Sequence, residues 1–107
     1  MSAFHEKIIK SASTFLLRWN GGEAEAYELT KGHKTLVLLV TKTHVPGNLV
    51  IACMDPNWIS TPLRWRDCNI RVRLVNSGGE NFYEIADSAS QTLVRCGTLE
   101  IKENVKL

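Results

Sequence analysis

"IRVRLVNSGGENFYEIAD", Ile70 to Asp87, is the stretch whose reading decides the fold. Apolar and charged residues alternate strictly in Ile70-Arg71-Val72-Arg73-Leu74, the period of a strand with one wet face. Ser77-Gly78-Gly79-Glu80 supplies turn chemistry, and a second extended run follows over Asn81–Asp87. With those four residues as the loop, Asn76 pairs with Asn81, Leu74 with Tyr83, Arg73 with Glu84 and Val72 with Ile85. Each pair matches chemically: amide with amide, apolar with apolar, cation with carboxylate. A slip of one residue turns a strand's apolar set outward, so these matches argue for one register.

The reading extends outward from this hairpin. Upstream, Phe4, Ile8, Ile9 and Ala12 fall on one face of a short helix over residues 1–13, with Ser2 as its N-cap. Thr14–Trp19 reads as an extended run closed by Asn20-Gly21-Gly22, a hairpin signal. Glu25–Thr30, Thr35–Thr41 and Leu49–Met54 follow, divided by turns at Lys31-Gly32-His33 and Pro46-Gly47-Asn48. Asp55-Pro56-Asn57 and Thr61-Pro62 mark an irregular crossing. Downstream, Gln91–Cys96 and Thr98–Glu103 complete the set. Intervals this short leave no room for crossover helices, so the sheet is antiparallel. The expected architecture is mainly β: a meander forming an antiparallel sandwich or partly open barrel with one N-terminal helix, in a single domain over residues 1–107. Leu36–Val40 and Leu49–Cys53 are apolar at every position, which predicts a central hairpin covered on both faces, by the helix on one.

Composition narrows the functional classes. A chain of 107 residues can bury a core of its own. Its apolar runs are too short to cross a bilayer, and its N-terminus lacks the apolar stretch of a secretory signal. Three cysteines, Cys53, Cys68 and Cys96, cannot all pair within one chain. Reduced thiols in a cytoplasm are therefore expected, with Cys68 the most exposed of the three. His5, His33 and His44 show no metal-ligand spacing, and the glycines sit at hairpin turns rather than between a strand and a helix. No metal, cofactor, catalytic group or membrane partner is expected.

The functional question gathers on "STPLRWRDCNIRVRL", Ser60–Leu74. Residues 58–76 hold four arginines against Asp67 alone, in a chain whose net charge is only +2. The candidate binding residues are Arg64, Trp65, Arg66, Arg71 and Arg73. An arginine beside a tryptophan can stack on a base or hold a phosphate. The plainer reading makes Arg71 and Arg73 the solvent face of a strand, with Glu84 opposite Arg73 and diagonal to Arg71. It makes Trp65 an inward anchor between solvated arginines. Arg64 and Arg66 have no cross-strand carboxylate assigned to them and so carry more of any binding. Dedicated nucleic-acid binders have a larger basic footprint than this. The expectation is a non-enzymatic interaction module for a protein partner. Weak single-stranded nucleic-acid binding through the arginine-bearing strand is the alternative, and an edge strand is open to pairing with a second copy.

"GNLVIAC" (Gly47–Cys53), the spacing Ile59-Ser60, Pro62, Trp65, then "DCNIRV" (Asp67–Val72) and the ending "LEIKENVKL" resemble small bacterial proteins of unassigned function, cyanobacterial ones among them. The likeness spans roughly the last sixty residues. It implies a β-rich fold and brings no catalytic or ligand motif. In general character the chain is also similar to predicted immunity proteins of bacterial toxin systems, small and β-rich with tryptophans, which would imply a toxin as partner.

Overall fold

The apolar face begun by Ile8, Ile9 and Ala12 continues through Phe15, Leu16 and Trp19, and the chain stays helical that far. In the computed structural model, which describes residues 3–30, 32 and 34–107, helix α1 spans Ala3–Trp19. Thr14–Trp19 is thus the end of a helix and not a strand. The alternation of Phe15, Leu17 and Trp19 imitates a strand, but burial follows the helical period: Ala12, Leu16 and Trp19 are buried while Leu17 is 77% exposed. Asn20-Gly21-Gly22 terminates this helix instead of turning a hairpin. Gly21 takes φ +88°, and the Gly22 amide donates to the Trp19 carbonyl at 3.2 Å. The N-cap expected at Ser2, and Lys31 and His33 of the expected turn, lie outside the described residues.

Seven strands follow among the described residues: β1 (Glu23–Leu29), β2 (Thr35–Thr41), β3 (Asn48–Ser60), β4 (Arg64–Trp65), β5 (Ile70–Ser77), β6 (Glu80–Asp87) and β7 (Thr92–Val105). They form one antiparallel sheet in the order β4-β1-β2-β3-β7-β6-β5, curled into a half-barrel. The protein is mainly β, a partly open barrel with an N-terminal helix. It is not one continuous meander. Two three-strand meanders meet where β3 pairs with β7, and the ends of the curl are β4 and β5.

The β5–β6 register is the one the sequence indicates: Asn76↔Asn81, Leu74↔Tyr83, Arg73↔Glu84 and Val72↔Ile85. The loop is tighter than the four residues expected. Ser77 pairs with Glu80, leaving Gly78 and Gly79 at φ +61° and +85°, the doubly left-handed turn that fits strand twist. Asp55-Pro56-Asn57 is not a crossing, because β3 runs through it with a bulge between Pro56 and Trp58. Nor are Gln91–Cys96 and Thr98–Glu103 two strands; Gly97 lies inside the single strand β7. Asp55, at φ +54°, faces Gly97 across the ladder. There the inward alternation slips by one place, so that Cys96 and Leu99, three residues apart, are both buried.

The β2–β3 hairpin is central as expected, with Leu38 opposite Ile51. Its inward set, Leu36, Leu38, Val40, Leu49, Ile51 and Cys53, is 3% exposed or less and shares one core with Ala12, Leu16 and Trp19. Its outward face departs from expectation. Leu39 is buried at 5% exposure, but Val37, Val50 and Ala52 are only half-buried, and no second layer covers them among the described residues. Lys102 and Glu100, opposite Val50 and Ala52, pair at 3.0 Å, and their aliphatic stems border this row.

Two polar anchors hold α1 in the curl. The Trp19 indole donates to Glu103 Oε1 at 3.0 Å, and Arg18 grips the same carboxylate through Nε and Nη2 at 2.8 and 2.7 Å. Near the other end, His5 Nδ1 and the Tyr83 hydroxyl share a hydrogen bond of 2.6 Å. Burying Leu16 between these anchors is worth about 2–5 kcal/mol by the usual cost of Leu→Ala in a core. The bond from Arg18 holds the Glu103 carboxyl below the usual carboxylate range.

Two outcomes follow from this packing. A Cβ on Gly22 would sit 2.4 Å from the Thr41 carbonyl oxygen, a backbone atom. Gly22→Ala should therefore destabilise by about 1–3 kcal/mol in denaturant titrations. A lowered native pKa at Glu103 stabilises above the ordinary carboxylate range, and that gain is lost as pH falls through the native value. Thermal melts should show Glu103→Gln well below the parent at neutral pH, with the gap closing on acidification.

Candidate functional site

The link from β4 to β5 converges on one buried carboxylate. Asp87, at the end of β6, is 2% exposed and is held by three donors. Trp65 Nε1 donates to its Oδ2 at 2.7 Å, the Asn69 amide to the same oxygen at 2.8 Å, and the Ala89 amide to Oδ1 at 2.8 Å. Trp65 accordingly points inward, as its place between two outward arginines indicates. Its ring is core material and not a platform for a base.

The arginines do not form a single surface. Arg64 meets Glu25 at 3.3 Å through the β1–β4 pairing, where the two residues lie directly opposite. That cross-strand carboxylate corrects the expectation that Arg64 lacks one. It was hidden because β1 and β4 are far apart in sequence and β4 is only two residues long. Arg66 is exposed in the link and makes no ion pair among the described residues. It borders a shallow hollow with Gly21, Gly22 and Thr41–Thr43.

Arg73 bonds Glu84 as the register indicates, at 2.6 Å from Nη2 and 2.8 Å from Nε. Glu84 is only 5% exposed, because Arg95 of β7 claims its other oxygen at 3.1 Å. The guanidinium of Arg95 lies 5.7 Å from the Phe82 ring centre. Glu84 therefore serves Arg73 and Arg95, and the diagonal pairing expected for Arg71 does not form. Arg71 stays exposed with no ion pair among the described residues.

Arg71 and Arg73 flank a groove of about 650 Å³ between α1 and β5. Leu16 and Leu17 of α1 and Ile70 and Val72 of β5 supply its apolar lining. Reading Thr14–Trp19 as a strand conceals this groove, since one wall is the last turn of the helix. The floor is the unpaired edge of β5. The two-residue loop makes Ser77↔Glu80 a hydrogen-bonded pair, so residues 75, 73 and 71 bond to β6. Ile70, Val72, Leu74 and Asn76 then turn N–H and C=O groups toward the open side. No other described segment makes a backbone hydrogen bond to β5 there.

The thiols are all buried, and Cys68, at 2% exposure, is not the exposed one expected. Its S–H reaches the Trp19 carbonyl at 3.6 Å, and burial, with Asp87 nearby, pushes the thiol up. Cys53 is raised well above the ordinary thiol value by its hydrogen bond with Cys96 and by burial. No described helix is long and apolar enough to cross a membrane, and no three His, Cys, Asp or Glu side chains gather among the described residues. Comparison with family models, curated proteins and solved structures finds no match.

Trp65 offers a clean separation of packing from bonding. Trp65→Ala should destabilise by about 3–5 kcal/mol, since a buried ring is removed. Trp65→Phe keeps most of the volume but leaves Asp87 Oδ2 one donor short, and should cost about 1–3 kcal/mol. Equilibrium unfolding of both variants checks the ordering.

Proposed function

We propose that this chain is a small non-enzymatic interaction module that takes a protein partner, in extended form, along the open edge of β5. The observation that carries the reading is the unguarded length of that edge. Unpaired strand edges invite foreign strands, and natural sheets blunt them with proline, lysine or brevity. The opposite end of this sheet is blunted in that way. β4 is two residues long, and the Ala26 amide extends its ladder by one bond to the Leu63 carbonyl. The next place, opposite Tyr27, falls on Pro62, which has no N–H. The free stretch of β3 beyond Met54, with exposed Trp58 and Ile59, lies between Pro56 and Pro62. β5 has eight residues with neither proline nor lysine, and a groove of about 650 Å³ lies beside its Ile70–Arg73 part. Addition of a strand to such an edge is a common mode of peptide recognition. A cytoplasmic setting suits the reading, because three buried thiols need no oxidising compartment.

The nucleic-acid alternative draws less support. Two of the four arginines in the basic stretch are engaged by carboxylates, and Trp65 is buried. Fluorescence anisotropy with the full chain separates the two. A labelled decapeptide of alternating Val and Gln should bind, and N-methylation of its alternate amides should abolish binding. Val72→Pro removes an N–H from the open side only, so it should fold and lose the peptide. Failure of the peptide, with salt-sensitive binding of a thymidine 20-mer instead, would reverse the assignment.

A further inference from the structure

The chemistry of the groove specifies more than an extended shape. Resting on the reading above, we infer that its occupant is an acidic segment of another protein, with carboxylates at every second position. On the outward face, Glu84 lies among Arg71, Arg73 and Arg95, and its two oxygens are taken by Arg73 and Arg95. Arg71 is left without a counter-charge among the described residues, two places from Arg73 on the same face of β5. A strand laid along β5 sends alternate side chains to that face and the others toward Leu16 and Leu17 of α1. Carboxylates on the first set meet Arg71 and Arg73 as cross-strand neighbours, and apolar residues on the second set cover Leu17. The favoured pattern is acidic–apolar–acidic–apolar.

The same charges argue against the other occupants. In a pairing of β5 with β5 of a second copy, outward faces coincide, so Arg71 and Arg73 of one chain lie among those of the other. Like charges across a ladder destabilise it. A single-stranded nucleic acid would find cations, but no aromatic side chain lines the groove for a base to stack on. A polypeptide uses the cations, the aliphatic wall and the open backbone together.

The test uses the full chain and three labelled decapeptides in which Val alternates with Glu, Gln or Lys, with a thymidine 10-mer as a fourth probe. The Glu peptide should bind at least tenfold more tightly than the Gln peptide at low salt, and the gap should narrow as salt rises. Arg71→Gln should erase most of that gap. Amide exchange at Val72 and Leu74 should slow when the Glu peptide is added. Equal affinity for the Glu and Gln peptides, both lost on N-methylation, would overturn the charge inference and leave strand addition standing. Tighter binding of the Lys peptide or of the 10-mer would also overturn it. Absence of binding by every peptide would remove the underlying proposal as well.

Discussion

The half-barrel depends on a carboxylate that it buries. Asp87 sits where three segments must meet: the end of β6, the link after β4, and the turn that leads into β7. A charged carboxylate removed from water needs donors on both oxygens, and here an indole and two backbone amides supply them. The consequence is geometric. Trp65 belongs to the strand at one end of the sheet, and Asp87 pairs with Ile70 at the start of the strand at the other. One side chain therefore sets how far the curl closes, and with it the gap that α1 fills.

Local chemistry made part of this legible. The β5–β6 register could be read because a two-glycine turn joins strands whose partners are seventeen residues apart or fewer. The central hairpin was equally plain, since an unbroken apolar run has few other places to go. What misled was any feature decided by a distant partner. Thr14–Trp19 alternates as a strand does, and its helical fate rests on Leu16 and Trp19 reaching strands at the other end of the chain. Asp55-Pro56-Asn57 has the composition of a break, yet a left-handed residue facing a glycine lets two strands bend together without parting.

The candidate site divides along the same line. The pairing of Arg73 with Glu84 and the inward turn of Trp65 follow from alternation and were visible. The partner of Arg64 depends on β1 and β4 meeting, and the burial of Cys68 depends on the Trp19 carbonyl and Gly22 closing over it. Glu84 was expected as a surface counter-ion shared along β5, but its second oxygen is turned to β7. That single reassignment leaves Arg71 without a carboxylate and converts a balanced strand face into a charged one.

Two prolines, Pro56 in β3 and Pro62 just before β4, bear on stoichiometry. A sheet with two receptive edges can hand a strand on at each side and grow without limit, as fibrils do. Here β4 is two residues long with Pro62 shortly before it, and Pro56 lies in the stretch of β3 that β2 leaves unpaired, so these edges are poor acceptors while β5 stays open. On the reading proposed above, strands join at β5 alone, and the sheet has no second edge from which to polymerise.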